Sequence, residues 1–303
     1  MSPAVGALVD RQGGRVTLAQ ARDRAAQFPD LLVEARRIAA SVFGGWHGRR
    51  KRGAGEDFWQ FRPYVAGENL AAVDWRRSAR DEHVYLRDRE WQAAHTVWLW
   101  VDESPSMLFA SRHAAVSKQG RALLLVLALA ELLARSGERV GLFGLTAPIL
   151  NRNAAGRIAE RLSQSPPQTA FPRHGGERGF FDLVAVSDFL SGGEALRASL
   201  AGFARAGARV HLIHVHDPAE RLFPYAGRVE FADPETGARL TAGNAATLQA
   251  EYAQAFARHV DEVRRAAAAF RYGHVLHATD RPATQALAAL HMRLAEAPAE
   301  ADR

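Results

Sequence analysis

Along Val101-Asp102-Glu103-Ser104-Pro105-Ser106 a carboxylate and two hydroxyls recur at alternate positions, directly after the apolar run His95-Thr96-Val97-Trp98-Leu99-Trp100. Alternate residues leaving a strand can aim Asp102, Ser104 and Ser106 at one point, and hard oxygen donors of that kind suit Mg²⁺ or Mn²⁺. The same residues also favour ordinary polar turns, because their side chains bond nearby backbone. Composition alone yields such a triplet in roughly one chain of this length in twenty. Its surroundings must decide its meaning. Glu103, inside the triplet, is expected to point into solvent; turned inward, it would repel a partner's carboxylate.

Other chemistries compete. His211, His214 and His216 precede Asp217. Two imidazoles at His-x-His spacing lie on one face of a strand and could serve a metallohydrolase, or could simply pack a strand end. Neither Ser104 nor Ser106 sits in a Gly-x-Ser-x-Gly elbow, which argues against a serine hydrolase. No Gly-x-x-x-x-Gly-Lys-Ser/Thr loop is present, so ATP hydrolysis by this chain is not expected. The chain has no Cys, which excludes disulfides, thiolate metal sites and a cysteine nucleophile.

The elements that must position these residues can be read from the apolar pattern. The 303 residues, 48% hydrophobic and 24% charged, suffice for one large α/β domain with an appended region, or for two modest domains. The pattern changes near residue 95. Residues 1–94 form a helical and mixed-charge region: Thr17 can cap a helix to about Phe28, Pro29-Asp30 can start another through Phe43, and a strand is predicted at Val84–Arg89. This region has no core large enough to stand alone, so it is expected to pack on the remainder of the chain. Its aromatics Phe58, Trp59, Phe61, Tyr64, Trp75 and Trp91 are expected to serve as that packing. Arg76, Arg77 and Arg80 could bind an acidic partner or pair with Asp74, Asp81 and Asp88.

Residues 95–303 alternate between the two element types. Strands are predicted at His95–Val101, Arg139–Leu145, Phe181–Ser187, Ala208–Val215 and His274–Ala278. Helices are predicted near Ala114–Arg135, Asn153–Leu162, Glu194–Ala206, Ala245–Ala269 and Arg281–Leu294. Short β-rich runs between helical patterns argue a doubly wound, mostly parallel sheet. Ligands in such sheets bind at the carboxyl ends of strands. Asp102 ends the first strand and Ser187-Asp188 ends a later one, so the two are expected to face one crevice.

The start, Met1-Ser2-Pro3-Ala4-Val5, lacks the basic segment and apolar core of a signal peptide, so no export is expected. The longest fully apolar run, Ala122 to Ala130, is far short of the roughly 20 residues that span a bilayer. No transmembrane segment and a cytoplasmic location are expected. The net charge is +6, and Arg49-Arg50-Lys51-Arg52 would suit nucleic acid, but Glu56, Asp57, Glu68, Asp74, Asp81, Glu82, Asp88 and Glu90 come soon after. The segment is mixed in charge, so no specific nucleic-acid partner is expected.

Several blocks carry a family resemblance. Gly53-Ala54-Gly55-Glu56-Asp57-Phe58, Arg62-Pro63-Tyr64, Gly67-Glu68, Val73-Asp74-Trp75-Arg76-Arg77-Ser78-Ala79-Arg80 and Asp102-Glu103-Ser104-Pro105-Ser106-Met107 resemble the bacterial family called domain of unknown function 58. Gly137-Glu138-Arg139-Val140-Gly141-Leu142, Val186-Ser187-Asp188-Phe189, Asp217-Pro218-Ala219-Glu220 and Asp233-Pro234-Glu235-Thr236-Gly237 continue it in order. The resemblance implies a von Willebrand factor A-like, Rossmann-like sheet with a metal-ion-dependent adhesion site. Carried over, the ligands are Asp102, Ser104, Ser106 and Asp188. The second-loop Thr would be Thr169, although the helix expected after it is missing from the pattern. At Gly67-Glu68-Asn69 the chain departs from the family's usual Gly-Asp. The family also has an apolar strand ending in Asp-Pro here, which favours strand-end packing for the three histidines.

The resemblance implies a non-enzymatic, Mg²⁺- or Mn²⁺-dependent interaction module that works with a MoxR-type AAA+ ATPase and an unknown client protein, in assembly or maturation of other proteins. The alternative is a divalent-metal phosphohydrolase using Asp102 and Asp188. Phosphatases of that layout carry a second acid two positions after the first, where this chain has Ser104.

Overall fold

The computed structural model describes residues 18–46, 58–64, 73–80, 83–89, 95–177, 180–190 and 192–295. Helix α1 (Leu18–Trp46) comes first, then an antiparallel pair, β1 (Phe58–Pro63) and β2 (Tyr85–Arg89), with the short α2 (Trp75–Ser78) between them. The centre is a five-stranded parallel sheet of β3 (Thr96–Val101), β4 (Arg139–Leu142), β5 (Asp182–Ser187), β6 (Arg209–His216) and β9 (Gly273–Ala278). Helices α3 (Lys118–Arg135), α4 (Ala154–Gln164), α5 (Gly193–Arg205), α6 (Pro218–Leu222), α7 (Gln249–Ala268) and α8 (Ala283–Ala295) connect and cover these strands. A hairpin of β7 (Val229–Ala232) and β8 (Arg239–Ala242) lies between α6 and α7.

The predicted doubly wound sheet is present, in spatial order β4-β3-β5-β6-β9. Its strands are nearly all apolar because both faces are covered. Alternation splits each strand between two cores. Val97, Leu99, Val101, Val184, Val186, Ile213 and Val215 join α3, α1, α4 and α8 on one side. Trp100, Leu183, Ala185, Val210 and Leu212 meet Leu196, Leu200 and Phe203 of α5 and Val263, Ala266 and Ala267 of α7 on the other. Helix α3 is buried almost all round, from Ala122 through Ala134, because α1 covers the side turned away from the sheet. That explains the wholly apolar run at Ala122–Ala130. Each buried leucine there stabilises by about 2 kcal/mol over exposure. Among the described residues no helix is long and apolar enough to cross a membrane.

Chain order reverses at β3, which has β4 on one side and β5 on the other. Such a switch point leaves a crevice at the strand ends that no crossover covers. Val101 pairs with Val186, so Asp102 and Ser187-Asp188 emerge side by side, as expected.

Several predicted elements need correction. The first helix does not end at Phe28: α1 runs unbroken through Pro29. An internal proline costs about 3 kcal/mol, but Phe28, Ala35, Ile38, Ala39 and Val42 all bury against the α3 side of the sheet, and packing on both sides of Pro29 overrides the local preference. Thr17 lies outside the described residues. The helix predicted over Ala245–Ala269 begins with a 3₁₀ turn at Ala245–Leu248, before α7. The α6 helix and the β7–β8 hairpin escaped prediction, although Asp217-Pro218-Ala219-Glu220 carries a capping-box pattern with proline at the first turn, a start signal in its own right.

The amino end of β5 holds a buried ionic cluster. Asp182 is fully buried and accepts from His95 Nε2 at 2.7 Å, from Arg209 Nε at 2.7 Å and Nη2 at 2.6 Å, and from His211 Nε2 at 3.4 Å. Burial opposes ionisation, yet the hydrogen bonds from His211, His95 and Arg209 overcome it and hold the carboxyl well below its usual range. Asp182→Ala should lower stability by about 3 kcal/mol, because it strands a partly buried guanidinium. A carboxyl with a depressed folded pKa stabilises above its unfolded value and loses that contribution as pH falls toward the folded one. The gap between wild type and variant in urea unfolding should therefore be full at pH 7 and shrink progressively below about pH 4.

Candidate metal centre

Strand β3 stops at Val101, and the chain passes through Asp102, Glu103 and an extended Ser104 until Pro105 opens a 3₁₀ turn, Pro105–Leu108. Proline suits that first turn position because its φ is preset and its missing N–H would have no partner there. The turn brings Ser106 back beside Ser104: their hydroxyls lie 3.2 Å apart. The Ser106 hydroxyl donates to Asp188 Oδ2 at 2.8 Å. Asp102 Oδ1 accepts from the Ser104 amide at 2.8 Å, and its Oδ2 accepts from the Ser187 hydroxyl at 2.6 Å. Asp102, Ser104, Ser106 and Asp188 are all buried, and they form one linked set of oxygen donors.

Backbone geometry beyond β5 aims the second loop. Phe189 sits at φ +54°, a left-handed conformation that costs a bulky residue on the order of 1 kcal/mol or more. Its ring is buried against Phe171 and His214, which offsets that strain. His259 of α7 donates to the Asp188 carbonyl at 2.8 Å, and the Leu190 amide reaches Asp188 Oδ1 at 3.2 Å.

Lys118, which belongs to none of the sequence motifs, is the only ammonium in this network among the described residues. It opens α3, is 1% exposed, and donates to Asp188 Oδ2 at 2.8 Å and to Glu220 Oε1 at 2.6 Å. Burial alone would depress its pKa, but the charges of Asp188 and Glu220 raise it above the ordinary lysine value, so it stays protonated. Asp188 is correspondingly lowered: burial opposes ionisation, and Lys118 overcomes it. A signal existed, since the chain has just two lysines, Lys51 and Lys118, among 39 basic residues. A compact ammonium fits between two buried carboxylates where a planar guanidinium would not.

Asp102 receives no such compensation. Burial first, then the charge of Asp188, push its carboxyl up to about 6, against hydrogen bonds from Ser187 and Ser104. A buried carboxylate with neutral donors but no counter-cation is the environment a divalent ion would discharge. Two carboxylates and two hydroxyls within hydrogen-bond reach also match the ligand type of Mg²⁺ or Mn²⁺. Among the described residues no group of three or more His, Cys, Asp or Glu side chains is spaced as a metal cage, so any cation here would rely on the serine hydroxyls.

Thr169 is exposed and lines the same cavity of about 710 Å³ as Ser104, Ser106 and Asp188, but no hydrogen bond of the oxygen-donor network reaches it. Described residues after it, up to 177, are irregular. Glu103 does not point into solvent. It is 5% exposed, its amide donates to the Gln168 carbonyl at 2.8 Å, and its carboxylate accepts from the Gln168 amide at 3.4 Å. It braces the loop carrying Thr169. Gln168 in turn donates to the Phe143 carbonyl at 2.9 Å.

The three histidines divide between the faces of β6. His211 serves Asp182, while His214 packs on Phe189, His259 and His274, and His216 on Phe256. Burial depresses His214 and His216, so both are neutral packing groups. Trp75 corrects the expectation of an aromatic core, being 62% exposed on a four-residue helix with no buried face. Asp74 caps that helix by accepting from the Arg77 amide at 2.9 Å, and Arg76, Arg77 and Arg80 are exposed. Arg49–Arg52, Gly67-Glu68-Asn69, Asp81 and Trp91 lie outside the described residues.

Fold and site together define a doubly wound α/β protein with an acidic, oxygen-lined centre at its switch point. The chain belongs to the family described as "Protein of unknown function DUF58", which matches residues 60–262, a span holding every residue of the candidate centre. It is 26% identical over 265 residues to "Uncharacterized protein Rv1480" of Mycobacterium tuberculosis and, equally, to "Uncharacterized protein Mb1516" of Mycobacterium bovis, with 80% of each chain covered. Among solved structures it aligns with a conserved hypothetical protein BatB from Bacteroides thetaiotaomicron, at 16% identity and a TM-score of 0.37. It also aligns with an aerotolerance-related membrane protein from Bacteroides fragilis, at 14% and 0.34. Both alignments cover 67% of this chain and 100% of the other.

The raised Asp102 carboxyl has a measurable consequence. Between about pH 4 and pH 6 the folded chain keeps this proton while the unfolded chain releases it, so stability falls as pH rises. In chelator, this group should remove about 3 kcal/mol from wild type across that window. Urea unfolding of Asp102→Asn should lack the fall; parallel pH curves for the two proteins would remove the assignment.

Proposed function

We propose that this protein is a von Willebrand factor A-like, metal-dependent interaction module that works in the cytoplasm with a MoxR-type AAA+ ATPase on client proteins, in their assembly or maturation. The observation that carries the reading is Asp102: a buried carboxylate, held by two neutral donors, with no ammonium or guanidinium beside it among the described residues, while Lys118 serves its neighbour Asp188. Asp102, Ser104, Ser106 and Asp188 would hold Mg²⁺ or Mn²⁺, and Thr169 stands on the cavity wall as a further hydroxyl. When bound, the ion supplies a Lewis-acidic coordination position that a partner's carboxylate can fill.

The chain's own residues prepare that encounter. Ser187 and the Ser104 amide fix the direction of Asp102. Lys118 holds Asp188 ionised and in place. Glu103 and Gln168 set the distance of the neighbouring loop. Serine hydroxyls in place of further acids keep the site electron-poor, which favours an added acidic ligand.

Asp102 and Asp188 at one switch-point crevice would also serve a divalent-metal phosphohydrolase, which is the second reading. Ser104 weighs against it, standing where that chemistry uses a second acid.

Calorimetric titration should show one Mg²⁺ or Mn²⁺ per chain, and Asp102→Ala should abolish it with the circular dichroism spectrum unchanged. Capture of a purified MoxR-type ATPase should then fail in EDTA and weaken about tenfold with Ser106→Ala. A complex indifferent to both would place binding on another surface and overturn the interaction reading. For the alternative, hydrolysis of p-nitrophenyl phosphate should not exceed a metal-only blank; turnover lost in Asp188→Asn would establish the phosphohydrolase instead.

A further inference from the structure

Lys118 breaks a local rule. It is the first residue of α3, whose cap, Ser117, accepts from the Gly120 amide at 3.0 Å, and no acidic residue stands in that first turn. A cation at the amino end of a helix opposes the macrodipole, and taking an ammonium out of water is costly in itself. Helix stability therefore gives no reason for a lysine here. The backbone beneath it is fixed, since the Lys118 amide donates to the Phe109 carbonyl at 3.1 Å, and what remains free to shift is the side chain.

The ammonium stands between two carboxylates with different surroundings. Asp188 Oδ2, at 2.8 Å, also accepts from the Ser106 hydroxyl at 2.8 Å, while Oδ1 is engaged by the Leu190 amide at 3.2 Å. Oδ2 is thus the oxygen that Asp188 shares with the serine donors, and a divalent ion drawn to it would meet the ammonium as a like charge in a poorly hydrated place. Glu220 Oε1, at 2.6 Å, belongs to no proposed ligand loop. It is held by the start of α6: Glu220 Oε2 accepts from the Asp217 amide at 2.7 Å, and Asp217 accepts from the Ala219 amide at 2.8 Å and the Ser111 amide at 2.9 Å. An ammonium that gave up Asp188 would keep this fixed carboxylate, and so would not be a buried charge without a partner. The Phe109 ring, 6.0 Å from the ammonium, adds a face that tolerates the charge.

We propose that Lys118 is an exchangeable counter-ion of Asp188, which neutralises that carboxylate until a divalent cation takes it and is then retained by Glu220 alone. This rests on the cation reading of the proposed function and adds to it the residue that sets the affinity. A tethered ammonium competes with the ion at one of its two carboxylates, so it weakens cation binding. In return, the ion and Lys118 together balance Asp102, Asp188 and Glu220, and a partner's carboxylate meets no net negative charge from these groups.

The test titrates the full chain calorimetrically with Mn²⁺ alone, in wild type, Lys118→Met and Lys118→Met/Glu220→Gln. The double variant removes both charges of the pair, so it leaves no stranded carboxylate on α6 and decides the matter where Lys118→Met fails to fold. Both variants should bind Mn²⁺ about tenfold more tightly than wild type, whereas a lysine that merely fixed Asp188 in place would give weaker binding when removed. Mn²⁺ should also alter hydrogen exchange of amides 217–222 in wild type, as Lys118 transfers wholly to Glu220, and leave it unchanged in the double variant. Equal or weaker Mn²⁺ affinity in a double variant with the circular dichroism of wild type, or exchange at 217–222 indifferent to bound Mn²⁺ in wild type, would overturn the role of Lys118 and leave the cation site standing. Absence of saturable Mn²⁺ binding in all three proteins would overturn both.

Discussion

Asp102 and Asp188 are buried side by side at the carboxyl edge of the sheet, and one ammonium, that of Lys118, lies between Asp188 and Glu220. Taking a carboxylate out of water is tolerable when hydrogen bonds and an opposite charge replace its hydration. Asp188 has both; among the described residues Asp102 has the hydrogen bonds alone. Much of the surrounding architecture reflects that unequal division. The Ser187 hydroxyl is turned to Asp102 instead of to solvent, Pro105 reverses the chain so that Ser106 meets Asp188, and Phe189 accepts a left-handed backbone to keep the second loop in reach.

The two ends of β5 make an instructive contrast. At its start, Asp182 is bound by a guanidinium and two imidazoles, and its carboxyl is driven down. Beyond its end, the carboxylates among the described residues outnumber the basic groups, and Asp102 is driven up. Burial is similar at both ends. What differs is the supply of positive charge, and that separates a structural pin from a centre that still has a cation to gain. The neutral histidines on β6 and β9 belong to neither class. Burial pushes His274 and His277 down to about 4, so with His214 they pack the region as polar-edged aromatic rings without adding charge to it.

Residues close in sequence announced much of this. The strands of the sheet were legible because runs such as Thr96–Val101 and Asp182–Ser187 are short, apolar and rich in β-branched residues, and the helical patterns between them imposed parallel crossovers. A parallel doubly wound sheet puts the carboxyl ends of all its strands on one edge, so Asp102 and Ser187-Asp188 were expected at one crevice; that their strands are neighbours came from the observed order. The Asp-x-Ser-x-Ser loop was legible for the same reason: its donors lie within five residues, and local geometry brings them together.

What the tertiary structure alone decided lies at long range. Lys118 and Asp188 are 70 positions apart, Asp102 and Ser187 are 85, and Ser106 and Glu235 are 129. No local periodicity encodes such meetings, because they depend on where each crossover returns a loop to the sheet edge. Glu103 turned inward for the same reason, toward a Gln168 that only folding delivers. Continuation of α1 through Pro29 is the converse case: local preference argued for a break, and burial against α3 on both sides of the proline outweighed it. The sequence by itself thus determined the sheet and the set of oxygen donors, through spacing and hydropathy. The tertiary structure determined the charge balance around those donors, because electrostatic pairing is set by distance in space.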